Sequence, residues 1–264
     1  GRNPWARVIS GQPARVNDPR ALPPAPKGPD NAGMSLVLHG YHYSVYVRIA
    51  RLALAEKDVA YDRVEVNPFS PDIPAAYLTL HPFGRVPTLV HDGFALYETG
   101  AISRYIDRAF PGPSLQPRDA RALARMDQII GVVDSYAYWP LVRQVFSHRV
   151  FRPRLGQPAD DAEVARGLAS ATKGLAALEE LAASDTFLAG PAISLADLHL
   201  GAMIAYFTAA PEGATMIQAY PRLAGWWKRA SGMSRSTPAI STITATSGRR
   251  SRTSCHATTA PSAR

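Results

Sequence analysis

An Asp92-Gly93 pair between two short apolar runs constrains the fold of this chain more than any other feature. Both residues of such a pair readily adopt positive φ, so its place between two apolar runs is a strong signal for a two-residue β-hairpin. Pro87 stands at the start of the first run, where a missing N–H does not interrupt a sheet. Apolar spacing typical of a helix follows in residues 101–110. The sequence therefore predicts a hairpin over residues 87–97 and then a helix.

The segment before this hairpin alternates between strand and helix signals. We expect a strand, a helix, a second strand and a short helix or turn over residues 36–39, 44–57, 62–66 and 71–80. Val45, Ile49 and Leu52 fall on one face of the first of these helices. The resulting order βαβαββα joins a parallel strand pair to an antiparallel hairpin, which is the thioredoxin-like layout. We assign this domain to residues 34–112.

The second part of the chain lacks strand signals after about residue 118. Helices are expected over residues 118–149, 160–183, 194–209 and 221–231. Ser194, with Asp197 three residues later, matches a capping box, and we give this pair a structural role. The predicted fold class is α+β: a thioredoxin-like domain followed by an all-helical domain over residues 113–234.

The two ends of the chain differ from its middle in composition. Residues 1–33 are rich in Pro and Arg, and residues 235–264 are rich in Ser, Thr, Ala and Arg without an apolar period. Both are predicted to be disordered. These tails carry the whole formal charge of +8, because residues 34–234 hold 19 basic and 19 acidic residues. We therefore expect no nucleic-acid partner, in spite of the high isoelectric point.

Composition also limits the other partners. No run approaches the roughly 18 apolar residues of a membrane span, so no membrane association is expected. The single cysteine, Cys255, allows neither a disulfide within the chain nor a cysteine zinc site, and it fits a reducing compartment. We find no spacing of metal ligands. A thioredoxin-like redox enzyme would need a cysteine at the start of the first helix, and none is there.

Two motifs around the hairpin carry a family resemblance. Gly84-Arg85-Val86-Pro87 before it and Tyr97-Glu98-Thr99-Gly100 after it resemble the glutathione-binding half of the glutathione S-transferases. The capped helix of the second domain is similar to that family too, and the resemblance covers residues 34–234. It is closest to the bacterial, serine-type, cytosolic-like members. It implies glutathione as co-substrate, no metal, a small electrophile as second substrate, a homodimer and a cytoplasmic location.

The resemblance also implies roles for particular residues. The Val86–Pro87 bond would be cis, with the backbone of Val86 pairing with the peptide of glutathione. Glu98 would accept the γ-glutamyl ammonium group, and Thr99 would hold the α-carboxylate at a helix start. Arg85 would contact the far end of the peptide. The plainer alternatives are that Thr99 only caps the helix and that Arg85 is a solvated surface charge.

Ser44 is the candidate for stabilising the glutathione thiolate. With Arg48 four residues later it resembles the serine-type enzymes of the family. A hydroxyl donor plus a helix N-terminus would lower the pKa of the thiol, and two units would take about 2.7 kcal/mol. Tyr41 is the competitor, because some classes of the family use a tyrosine near this position. Ser44 as a simple N-cap is the alternative.

The predicted electrophile pocket lies between the domains and is lined by Tyr43, Tyr138 and Trp139, although aromatic residues in a helix also serve as core or dimer contacts. The expected function is conjugation of the glutathione thiolate to a small, apolar electrophile. The first alternative is a glutathione-dependent isomerase, which the sequence Tyr41-His42-Tyr43-Ser44 disfavours. The second is a non-catalytic glutathione-binding or interaction protein of the same fold.

Overall fold

The computed structural model of this chain describes residues 34–183 and 185–232. The two tails predicted to be disordered lie outside the described residues. The strands are β1 Leu36–Gly40, β2 Asp62–Glu65, β3 Thr88–His91 and β4 Phe94–Tyr97. The helices of the first unit are α1 Val45–Glu56, α2 Ala75–Leu80 and α3 Thr99–Ala109. The second unit contains α4 Ala120–Val132, two π-helical segments Val133–Ala137 and Trp139–Phe151, α5 Arg152–Arg154, α6 Asp161–Leu181, α7 Leu195–Phe207, α8 Pro211–Met216 and α9 Pro221–Gly232.

The four strands form one mixed sheet in the order β2-β1-β3-β4. β1 pairs in parallel with β2 and antiparallel with β3, and β3 and β4 form the predicted hairpin. Asp92 and Gly93 have φ values of 48° and 85°, as a two-residue turn between twisted strands requires. The Asp92 carboxylate also accepts the Ser35 N–H at 2.7 Å, which ties the turn to β1. The predicted fold class, thioredoxin-like and then all-helical, is confirmed.

Several element boundaries differ from the sequence prediction. α3 begins at Thr99 instead of residue 101, because Glu98 already turns the chain with φ 69° while Gly100 weakens the helical signal. α2 begins only after Pro74. α8 is absent from the prediction, although Pro211 at its first position and Glu212 in its first turn are ordinary start signals.

The largest departure lies in the expected helix over residues 118–149. Its second half does not continue as an α-helix but widens into the two π-helical segments, with hydrogen bonds to the fifth residue instead of the fourth. Residues that recur every four or five positions therefore fall on the same face. One face of these segments borders the first unit, and it forms a wall of the site described below.

The two units share one continuous hydrophobic core, in which α1 packs against both α3 and α7. A buried ion pair fastens the junction: Lys57 Nζ lies 2.8 Å from Asp107 Oδ1, and both side chains are less than 5% exposed. Lys57 also donates to the carbonyl of Pro113, and Asp107 accepts the N–H of Leu115. Burial alone would raise the pKa of Asp107, but the bonds from Lys57, Leu115 and Gln116 outweigh it and lower the pKa.

The Ser194–Asp197 pair lies at the start of α7, inside the second unit. The Asp197 carboxylate accepts the N–H and the hydroxyl of Ser194, at 2.8 and 2.7 Å. It also accepts the Leu188 N–H at 2.9 Å and the Trp226 indole N–H at 2.8 Å. Burial raises the pKa of Asp197, and these donors offset part of that rise. Across residues 34–183 and 185–232, no helix is long and apolar enough to span a membrane.

Candidate active site

A cleft of about 690 Å³ separates the start of α1 and the loop before β3 from the π-helical segments. All the residues predicted for catalysis, glutathione binding and the electrophile pocket line it: Ser44, Tyr41, Arg85, Val86, Pro87, Glu98, Thr99, Tyr43, Tyr138 and Trp139. Ser194 and Asp197 do not line it. A more open depression of about 520 Å³ near Leu168 and Glu212 holds none of the candidates.

Ser44 is the N-cap of α1. Its extended backbone (φ −76°, ψ 124°) ends the turn after β1, and its N–H donates to the Tyr41 carbonyl at 2.9 Å. The Ser44 hydroxyl oxygen accepts the Val47 N–H at 3.3 Å. This bond uses the oxygen as an acceptor, so the hydroxyl proton can be donated toward the cleft. The first turn of α1 contains no acidic residue. Capping and stabilisation of a thiolate are therefore compatible at this serine.

Tyr41 lines the same region but is largely enclosed. Its ring packs edge-on against Tyr43 and Phe69, and 8% of the residue is exposed. Burial, assisted by Tyr43, Glu65 and Tyr206, raises the pKa of Tyr41 to about 12. The phenol is thus protonated at neutral pH and, like Ser44, is a neutral hydrogen-bond donor. The geometry leaves both side chains at the cleft as candidates for the thiolate.

The loop before β3, residues 84–87, is held in place by hydrogen bonds from the buried side chain of Tyr77. The Val86–Pro87 peptide bond is cis. The fully buried Tyr77 donates its hydroxyl proton to the Arg85 carbonyl at 2.5 Å, and its oxygen lies 2.9 Å from the Thr88 hydroxyl. These contacts fix the Arg85 carbonyl before Val86 and the Thr88 side chain after it, while the exposed Arg85 side chain borders the cleft.

Glu98 and Thr99 meet the cleft where β4 passes into α3. Glu98 is the N-cap, yet its side chain makes no capping hydrogen bond, and its φ of 69° is uncommon for a residue with a side chain. Such backbone outliers cluster at binding sites. Thr99 is the first residue of the helix and is buried. The alternative that Thr99 is the cap is therefore wrong, because Glu98 occupies that position.

His81, Asp134 and Arg143 also line this cleft and were not predicted from the sequence. His81 is 2% exposed and stacks on Tyr97 at 4.7 Å; burial lowers its pKa, against the opposing effect of Glu98, and keeps it neutral. Asp134 approaches the buried His199, with 3.8 Å between Oδ1 and Nδ1. The guanidinium carbon of Arg143 lies over the ring of Phe69 in the first unit and over that of Trp139 in the second. Asp134 and Arg143 could not be assigned to the cleft from the sequence, because π-helical turns bring them to the same helix face as the aromatic residues.

The electrophile side of the cleft is rich in aromatic rings. Tyr138 packs against Tyr46 of α1 at 4.8 Å between ring centroids, so the pair joins the two units. Trp139 is 57% exposed at the cleft margin, whereas Phe146 is buried against Tyr206 at 4.4 Å. Over the described part of the chain, no three His, Cys, Asp or Glu side chains come together in a group that would hold a metal ion.

A mixed four-stranded sheet with a cis-proline loop, joined to a helical unit across an aromatic cleft, defines the class of two-domain thioredoxin-like proteins. Residues 38–114 match the family model of the glutathione S-transferase N-terminal domain, and residues 161–229 match that of the C-terminal domain. Together with the relatives described next, these matches show that the chain belongs to the glutathione S-transferase family. Glutathione transferase is the activity that this membership supports.

Among curated relatives, glutathione S-transferase 4 of Zea mays is 30% identical over 192 residues, which are 72% of this chain and 85% of the relative. A theta class enzyme from Xanthomonas axonopodis pv. citri, solved with glutathione bound, has 27% identity and a TM-score of 0.66. The match covers 79% of this chain and 99% of that one. Maize glutathione S-transferase I, in complex with an atrazine glutathione conjugate, has 28% identity and a TM-score of 0.62, with 74% and 91% covered.

Proposed function

We propose that this chain binds glutathione along the first-unit wall of the cleft and conjugates its thiolate to a small electrophile held against the second unit. The observation that carries the proposal is the convergence of Ser44, Val86, Glu98 and Thr99 on one cleft. These residues come from three separate segments of the chain, and each offers a group that one part of an anionic thiol tripeptide needs.

The charges of this wall suit the peptide. The Glu98 carboxylate would accept the γ-glutamyl ammonium group, and Thr99 with the first N–H groups of α3 would hold the α-carboxylate. The backbone of Val86 would pair with the cysteinyl unit as one strand pairs with another. Arg85 would bind the glycine carboxylate at the far end. Tyr77, beneath the loop, supports this arrangement by fixing the Arg85 and Thr88 positions.

Ser44 acts on the sulfur in this proposal, which makes the chain a serine-type enzyme. Its hydroxyl donates to the thiolate, and the N-terminus of α1 adds positive potential. The thiol proton leaves to solvent. The thiolate then forms a C–S bond with the electrophile, whose leaving group departs with its bonding electrons. Catalysis rests on ionisation and orientation, since no further proton relay is needed for this step.

The two units have different roles in this proposal: residues 34–112 bind glutathione and residues 113–234 supply the electrophile site.

We also propose a homodimer that removes reactive electrophiles in the cytoplasm. In this proposal the contact between copies includes Tyr136, a large aromatic side chain that is 66% exposed. Light scattering on the purified protein tests the dimer. The single cysteine in 264 residues is in keeping with a reducing compartment.

Replacement of Ser44 by Ala tests the proposed chemistry. We expect kcat/KM for conjugation of 1-chloro-2,4-dinitrobenzene to fall about a hundredfold, as for loss of one preorganised donor, while glutathione affinity by calorimetry changes little. Tyr41→Phe is the matched control and should retain most of the activity. If Tyr41→Phe loses the activity and Ser44→Ala retains it, Tyr41 stabilises the thiolate instead of Ser44. Glutathione binding without conjugation by the wild type would favour the isomerase or the non-catalytic alternative.

A further inference from the structure

The second-unit wall of the cleft carries a guanidinium group among its aromatic rings. Along the π-helical segments, the residues that face the cleft follow each other at intervals of one to four positions: Asp134, Tyr138, Trp139, Val142, Arg143, Phe146, Ser147 and Phe151. Of these described residues, Arg143 is the one basic side chain and Asp134 the one acidic side chain. A wall meant only for an apolar electrophile would not need a cation at its centre.

Two aromatic rings hold Arg143 in position. Its guanidinium carbon lies 5.6 Å from the ring centroid of Phe69 and 5.7 Å from that of Trp139. Both distances are within the range of a cation–π interaction, which is about 6 Å. Phe69 belongs to the first unit and Trp139 to the second, so the cation lies where the two walls meet. Contacts with ring faces orient a guanidinium group.

Such a group is well suited to a planar anion. A guanidinium group presents its N–H donors as a rigid fork that matches a carboxylate, and it is more weakly hydrated than an ammonium group. Arg143 is half-buried, which strengthens its attraction for an anion relative to a fully solvated charge. Ser147 follows four residues later on the same cleft wall and adds a hydroxyl to it. The flanking rings offer flat surfaces on which an aromatic body can stack.

We propose that the electrophile is an aromatic compound bearing a carboxylate, and that Arg143 is the specificity-determining residue that binds this anion. The inference rests on the proposed function and refines it, because the sequence alone predicts an apolar electrophile. The aromatic body stacks in the cleft beside Tyr43 and Trp139, and its carboxylate points to Arg143. The reacting carbon remains toward the thiolate at Ser44.

A matched pair of electrophiles tests this proposal: 4-chloro-3-nitrobenzoate and its methyl ester. In both, the thiolate forms a C–S bond at the chlorine-bearing carbon and chloride leaves with the bonding electrons. The two compounds differ in intrinsic reactivity, so the quantity to compare is the ratio of variant to wild-type kcat/KM for each compound. Steady-state kinetics would be measured for the wild type, Arg143→Gln, Arg143→Lys and a control, Arg125→Gln. Arg125 bonds Gln128 on α4 and does not line the cleft.

Arg143→Gln should lower kcat/KM for the benzoate by about tenfold or more and for the ester by less than about twofold. The loss should appear mainly in KM, because the carboxylate is remote from the reacting carbon and is bound equally in ground and transition state. Arg143→Lys should retain part of the preference for the benzoate over the ester, because lysine keeps the positive charge but lacks the paired N–H donors of a guanidinium group. Arg125→Gln should match the wild type with both compounds.

Equal losses for benzoate and ester in Arg143→Gln would overturn the proposal, since they would show a structural role for Arg143. Unchanged kinetics with both compounds would overturn it as well. A wild type that conjugates 1-chloro-2,4-dinitrobenzene but neither of these two compounds would overturn the carboxylate proposal and leave the proposed function standing. A wild type that conjugates none of the three would contradict the proposed function instead, and calorimetry with 4-chloro-3-nitrobenzoate would then decide the anion site. If the wild type binds 4-chloro-3-nitrobenzoate and Arg143→Gln does not, the anion site is supported. If both proteins bind it equally, or neither binds it, the anion site is refuted.

Discussion

Two helices of this molecule begin at a serine, and their starts are completed in opposite ways. At α7, the protein supplies its own anion: the buried Asp197 carboxylate accepts four hydrogen bonds, from Ser194, Leu188 and Trp226. At α1, the first turn contains no acidic residue, and Ser44 borders the cleft. The positive end of a helix favours negative charge in both places.

The difference shows how one local device serves either stability or binding. A helix start closed by an internal carboxylate fixes neighbouring elements, here the segment at Leu188 and the last helix at Trp226. A helix start left open toward a cleft is available to an anion from outside, which in our proposal is the glutathione thiolate. The comparison predicts that changes at α7 affect stability and that changes at α1 affect the reaction.

The largest expected effect follows from Asp197→Ala. Loss of this carboxylate leaves several buried donors without their acceptor, so the free energy of unfolding should fall by at least about 4 kcal/mol. Urea denaturation measures it. Asp119→Ala is the matched control, because Asp119 caps the exposed start of α4 and should contribute only about 1 kcal/mol. Similar losses of stability in the two variants would show that the Asp197 carboxylate contributes no more than an exposed helix cap.

The second effect concerns Asp107, the buried acid at the junction of the units. Asp107→Asn should cost about 3 kcal/mol near neutral pH, because Lys57 is left buried without its counterion. The pKa of Asp107 is lowered in the folded state, so its stabilisation is present above the ordinary value of 3.8 and is lost as the pH falls below it. Unfolding of wild type and variant between pH 2 and 7 would show the gap closing in acid. A gap independent of pH would contradict this account.

The smallest of these effects tests the open start of α1 directly. Tyr46→Asp places a carboxylate in the first turn of α1, whereas Tyr46→Asn changes packing in the same way without the charge. The acid should disfavour the thiolate as a like charge, and we expect kcat/KM to be about tenfold lower for Asp than for Asn. Equal activities in the two variants would show that the helix start does not influence the sulfur.

Sequence reasoning recovered the parts of the fold that local chemistry decides. The turn at Asp92-Gly93 specifies the hairpin, and the apolar spacing of α1 specifies its buried face, so both are readable without tertiary structure. Ser44, Val86 and Glu98, on the other hand, were assigned to a glutathione site from the family resemblance, which was recognisable because its motifs stand beside clear turns and helix starts. Their roles remain proposals.

The electrophile side was predicted only in part. Tyr138 and Trp139 were proposed from the aromatic content of an expected α-helix, while Asp134 and Arg143 were not identified. They share a wall with the aromatic residues because π-helical turns realign the helix face, and an α-helical period does not predict that alignment. His81 was missed because its position under the cleft depends on packing with Tyr97, which lies on the other side of the hairpin.

In our proposal, the open start of α1 ionises the thiol of bound glutathione through Ser44. The most direct test follows the thiolate absorbance of glutathione bound to the wild type and to Ser44→Ala as the pH is raised. We expect a bound-thiol pKa below the free value of about 8.5 in the wild type, and a pKa that is higher by about one to two units in Ser44→Ala. The same pKa in both proteins, or a wild-type pKa no lower than that of free glutathione, would contradict it.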